Sequence, residues 1–122
     1  MTPKELKDRT RRFAVAIIQL CRELPTTLDG KTVSQQLIRS GTSVGANYRA
    51  SCRARSRAEW SAKLGIVEEE ADETLFWLEV AVDVKLVSAQ RAEALLKEAD
   101  ELTAIFVASL KTAKQSNHSI NK

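Results

Sequence analysis

Apolar positions recur along most of the chain at helical spacing. In the first segment Leu6, Thr10, Phe13, Ile17, Leu20 and Leu24 follow one another at steps of four and three. That heptad rhythm belongs to a helix packed nearly parallel to its neighbours. Thr2-Pro3-Lys4-Glu5 opens the helix with a capping box and a proline at its first position. Pro25 closes it, and Thr26 to Lys31 read as a loop. The second segment, from about Thr32 to Arg55, carries the stripe Leu37, Gly41, Val44, Tyr48 and Cys52, with Ser40, Ser43, Asn47, Ser51 and Ala54 beside it. Glycine inside a helix costs about 1 kcal/mol relative to alanine, so this small stripe predicts the close approach of another helix. Arg55 falls in the core phase, which predicts an end or a bend there. Ser56-Arg57-Ala58-Glu59 is a second capping-box sequence, and Trp60, Leu64, Val67, Ala71, Thr74, Leu78 and Ala81 mark the third helix's buried face. The fourth helix begins near Ser88 with Leu95, Ala99, Leu102, Phe106 and Ser109 on its seam. Lys111 and Lys114 sit in its last turns, where cations complement the helix dipole.

Four amphipathic helices with short connections predict an all-α protein, an antiparallel up-down four-helix bundle spanning residues 1–114. Residues 115–122 are polar and read as a disordered tail, outside the bundle. The seams do not absorb every apolar residue. Ile66, Glu73, Trp77, Val80 and Val84 share a second stripe on the third helix. A chain this short cannot hide two faces of one helix alone, so Ile66, Trp77 and Val80 are expected to meet a second copy in a homo-oligomer.

Composition narrows the class. The chain has 122 residues, four Gly and two Pro, a single domain too poor in turn residues for a β-sandwich or barrel. The longest apolar run near the N-terminus, Phe13 to Ile18, is too short for a signal peptide or a membrane span. Cys21 and Cys52 fall in helical segments without metal-type spacing and are expected to be buried and reduced. These features predict a cytoplasmic protein with no membrane partner.

The net charge of +3 conceals a polarised chain. Residues 1–24 carry +3, residues 25–57 carry +5, residues 58–87 carry −6 and residues 88–122 carry +1. Two arrangements fit this opposition. In one, Arg49, Arg53 and Arg57 pair with Glu68, Asp72 and Glu79, within or between subunits. In the other, arginines stay free and form an anion-binding surface. Arg49 and Arg53 are assigned to the ion pairs. Arg9, Arg11, Arg12, Arg39, Arg55 and Arg57 are assigned to a nucleic-acid-binding surface, for Arg11 and Arg12 because no acid follows three or four residues on.

Catalytic chemistry finds no foothold. The one histidine, His118, lies in the tail, and no glutamate precedes it by three residues, so a di-iron or di-manganese centre of the usual bundle type is not expected. Serine, threonine and cysteine nucleophiles have no histidine base in the folded body. There is no Gly-rich phosphate loop. The expectation is a protein without cofactor, metal or enzymatic activity.

The run Leu37-Ile38-Arg39-Ser40-Gly41-Thr42-Ser43-Val44-Gly45-Ala46-Asn47-Tyr48, continuing through Cys52-Arg53-Ala54-Arg55-Ser56-Arg57-Ala58-Glu59, resembles the signature of a bacterial family. Glu69 to Glu79 resembles its second block. The family is the four-helix-bundle group named for proteins encoded in intervening sequences of 23S ribosomal RNA genes. It includes proteins similar to the accessory variability protein of diversity-generating retroelements. The resemblance implies a homopentameric barrel with a central channel and no catalytic residues. For the retroelement branch it implies a basic surface that engages nucleic acid and a reverse transcriptase. Two functions follow as expectations: an accessory factor binding structured RNA or DNA, or a protein-interaction scaffold without a nucleic-acid role.

Overall fold

The computed structural model describes the backbone of residues 1–120 and the side chains of residues 1–115. Among these residues the chain forms four helices, α1 (Pro3–Cys21), α2 (Leu28–Ser51), α3 (Arg57–Asp83) and α4 (Ala89–Ile120). Each begins where the side chains say it should. The Thr2 hydroxyl accepts from the Glu5 amide at 3.1 Å while the Glu5 carboxylate accepts from the Thr2 amide at 2.9 Å, a complete capping box. At α3 the reciprocal bond is displaced by one residue. Ser56 accepts from the Glu59 amide, but the Glu59 carboxylate accepts from Arg55.

The start of α2 departs from expectation, since part of the loop predicted over Thr26 to Lys31 is its first turn. Thr27 is the cap, accepting from the Gly30 amide at 3.2 Å. Asp29-Gly30 looks like turn chemistry, yet Gly30 serves a packing need. A Cβ there would lie 2.0 Å from the Pro25 carbonyl oxygen, so only glycine lets the chain fold back this tightly. At the other end of the molecule, α4 continues to Ile120 through residues expected to form a loose tail. His118 lies outside the described side chains, and residues 121–122 outside the described backbone.

The helices pack in chain order, α1 on α2, α2 on α3 and α3 on α4, with only a sparse backbone approach between α4 and α1. The predicted seams meet at the axis. Phe13, Ile17, Leu20, Leu37, Leu64, Leu78, Leu102 and Phe106 are fully buried, and Tyr48 stacks obliquely on Phe106 at 5.5 Å. The small stripe does what its composition predicts. A Cβ on Gly41 would lie 2.9 Å from Ile17 Cγ2, and one on Gly45 would lie 3.3 Å from Thr10 Oγ1. Buried hydroxyls stay satisfied within their own helices: Thr10 donates to Leu6, Ser40 to Gln36 and Thr74 to Glu70.

The cysteines part company. Burial pushes the Cys21 thiol up to about 11, against the smaller effect of its bond to the Ser34 carbonyl. Cys52, expected in the core, is exposed, because α2 ends at Ser51 and Cys52 is its C-cap.

A candidate nucleic-acid interface at the basic end

The hairpin register decides which arginines are engaged. Helices α2 and α3 are joined by a short turn, so residues equally far from it face each other. Arg39 accordingly meets Glu70 at 3.1 Å and also Glu73. The Arg39 guanidinium, chiefly, holds the Glu73 carboxyl below its usual range. Arg9 on α1 reaches α4, donating to both oxygens of Glu98 at 2.8 and 2.6 Å and to Glu101 at 2.8 Å. Arg9 and Arg39 are therefore ion-paired, and their assignment to a free anion-binding surface is corrected. Both fasten helices together.

Arg49 and Arg53 show the reverse. Among the described residues neither makes an ion pair, and Glu68, Asp72 and Glu79 receive none. The register explains this too. Arg49 lies in the last turn of α2 and Arg53 in the connection that follows it, whereas the acids lie at mid-length and beyond on α3. A sequence reading that folded the hairpin about residues 52–56 would have found the Arg39 pairs and removed those of Arg49 and Arg53 within one protomer.

Two recesses sit near this end of the bundle, and Arg49 lines one of them. A groove of about 350 Å³ between α1 and α2 is lined by Lys7, Asp8, Arg11 and Ala14 on one wall and Thr42, Gly45, Ala46 and Arg49 on the other. A wider recess of about 780 Å³ at the end of the bundle adjoins it through the shared Lys7. Pro3, Tyr48, Cys52, Arg55, Arg57 and Trp60 line that second recess. Arg11 and Arg55, both expected at an anion surface, are thus brought to one end of the molecule. Arg12 is exposed but lies outside both linings. Lys7 escaped the sequence reading as a site residue, and Arg49 entered it only as an ion-pair residue. The signal was present in their spacing, since positions 7, 11 and 14 share one helix face and positions 42, 45, 46 and 49 another. Burial, then a hydrogen bond with Cys52, raises the Tyr48 phenol well above its ordinary value, so it meets the recess as a neutral group.

Antiparallel threading turns the charge segregation of the sequence into one of space. Residues 1–12, 48–63 and 106–115 meet at this end, as shown by the Pro3–Tyr48–Trp60 recess and a further recess lined by Trp60, Ala108, Ser109 and Thr112. These segments hold 12 of the 19 Lys and Arg but only three of the 16 Asp and Glu. Among the described residues no three His, Cys, Asp or Glu side chains come together to hold a metal ion. No helix among them is long and apolar enough to cross a membrane.

Known proteins give this geometry a family. The model of the 23S rRNA-intervening sequence protein family matches residues 4–108. A crystal structure from Bacteroides thetaiotaomicron, a protein of unknown function in the S23 ribosomal protein family, superposes with a TM-score of 0.81 at 34% identity. The superposition covers 87% of this chain and 98% of that one. No curated protein matches the chain. A family match over most of the bundle, together with the shared fold, means that the chain belongs to the 23S rRNA-intervening sequence protein family.

Proposed function

We propose that the protein is a non-enzymatic, homopentameric accessory factor that binds RNA or DNA through the basic end of its bundle. The observation that carries this reading is the spatial gathering of cations at that end, where Lys7, Arg11, Arg49 and Arg55 line two adjoining recesses. Only one acid, Asp8, lines either of them. Such a surface attracts phosphates by charge and gains affinity through counterion release. The pI near 9.0 accords with it.

The test is a salt titration of binding to structured ribosomal RNA fragments. Affinity is expected to fall steeply between about 50 and 200 mM salt. Binding that is undetectable at low salt, or indifferent to salt, overturns the proposal. A second reading, a protein-interaction scaffold without nucleic acid, is favoured by one feature, the exposed Ile66 and Phe76 on α3 and Val84 at its C-cap. In that case the basic end has no nucleic-acid ligand and the α3 face takes another protein.

A further inference from the structure

The groove between α1 and α2 permits a narrower statement, which rests on the nucleic-acid reading above. We infer that this groove holds one single strand by its sugar-phosphate backbone, with Lys7, Arg11 and Arg49 on its phosphates and no reading of the bases. The shape comes first. Gly45 lets α1 press on α2 at Thr10, and the neighbouring positions on the outer side are Ala14, Thr42 and Ala46. Their short side chains leave an open trough where longer ones would fill the margin of the helix contact. At about 350 Å³ it lies near the lower end of the range, about 300–1,000 Å³, in which small ligands are held.

The charges follow the shape. Lys7 and Arg11 stand one turn apart, about 6 Å along α1, a rise that matches neighbouring phosphates on a strand. Arg49 faces them from α2. Arg11 and Arg49 are exposed and make no ion pair among the described residues, so their planar donors are open to phosphate oxygens. Asp8, the one acid in the lining, reduces the positive potential without cancelling three cations. The basic surface runs on past Lys7 to Arg55 in the second recess. That continuation exceeds the needs of a small anion and suits a polymer with a charge at every repeat. No aromatic ring and no side-chain amide lines the groove. Bases therefore find no aromatic ring to stack on, and with Lys7, Arg11 and Arg49 taken up by phosphates the contacts carry no sequence information.

The experiment measures fluorescence anisotropy of labelled single-stranded RNA, uridine-rich and adenosine-rich, against the full-length protein and three variants. Ala46→Leu fills the groove without altering charge. Ala46 is exposed, so the fold is kept, and circular dichroism checks it. Arg11→Gln with Arg49→Gln removes two cations, and Arg22→Gln removes an exposed one at the opposite end. Ala46→Leu is expected to weaken binding at least about tenfold. The double variant is expected to flatten the slope of log affinity against log salt by about 1.4, two contacts at about 0.7 each for a single strand. Arg22→Gln should leave affinity unchanged, and the two RNA sequences should bind within a few-fold of each other. Normal binding by Ala46→Leu, or preference for one base sequence by tenfold or more, overturns the groove assignment while leaving the nucleic-acid reading in place. Absence of single-strand binding by the unaltered protein likewise overturns the groove assignment, and the nucleic-acid reading falls with it only if structured ribosomal RNA fragments are not bound either.

Discussion

Lys85 is the one non-glycine residue among those described with a positive φ, at 62°. It occupies the position after the cap of α3, where the Lys85 amide donates to Val82 and the Leu86 amide to Ala81. Those two bonds are a Schellman ending, which ordinarily recruits glycine because a Cβ in this conformation costs about 1–2 kcal/mol. Glycine would lose more freedom on folding, which offsets part of that gain. Lys85→Gly is therefore expected to stabilise the protein by about 0.5–1 kcal/mol. An upward shift of the urea midpoint at fixed protein concentration, with unchanged slope, is the measurement that checks it. A midpoint that falls would show that the Lys85 side chain supplies more than its backbone costs. This residue also shows a limit of the sequence. A Schellman ending without glycine or asparagine has no local signature, so the end of α3 could not be read, whereas the capped starts at Thr2 and Ser56 could. Gly30 failed in the opposite way, since its turn-like neighbourhood disguised a helix residue pressed against Pro25.

Between elements, the seam of α1 with α4 differs from the other three. Its backbones approach sparsely, and side chains close the gap. Arg9 grips Glu98 and Glu101, and Arg91 grips Glu23. The Arg9 pair is partly shielded, with side chains 19% and 27% exposed, and its two-pronged geometry lifts it above an ordinary surface pair. Arg9→Gln should cost about 1 kcal/mol, allowing for solvent screening. Because Arg9 is occupied, the same variant should bind RNA within about twofold of the unaltered protein. Thermal unfolding and anisotropy on one preparation check both halves, and a loss of affinity without a loss of stability would return Arg9 to the nucleic-acid surface. Heptad spacing made the buried faces of all four helices legible, because apolar periodicity reports which side of a helix is inside. Ion pairs between helices were not legible from the same pattern. They depend on register across a turn or on contact across the closing seam, and charge totals per segment do not encode either.

At the scale of the molecule, what a single protomer leaves uncovered becomes decisive. Ile66 and Phe76 on α3 and Val84 at its C-cap are 39, 54 and 51% exposed. Trp77 is half-buried, set edge-on to Phe76 at 5.1 Å, with its ring nitrogen donating to Glu73 at 3.5 Å. Val80 is half-buried against the core. An apolar surface running along one helix is unusual for a monomer, and the acidic length of α3 has few cations within its own protomer to balance it. Both are relieved if a second copy covers the face, which is why the proposed pentamer is placed on Ile66, Trp77 and Val80. A closed ring repeats one contact between two different patches, so a single charge introduced on one patch acts at every joint. Ile66→Asp with Val80→Asp should therefore collapse the assembly to the 13.5 kDa protomer at micromolar concentration, with helical content retained, because Ile66 is exposed and Val80 only half-buried. Light scattering reads the mass and circular dichroism the fold. If the unaltered protein already scatters as a 13.5 kDa species, the pentamer is refuted. If the double variant keeps the full assembly, the ring closes through another face. The assembly also bears on binding. Five copies in a ring would present five basic ends together, so a long RNA should bind far more tightly than one short enough to touch a single protomer. The dissociated variant should lose that length dependence while each of its basic ends still holds the short strand.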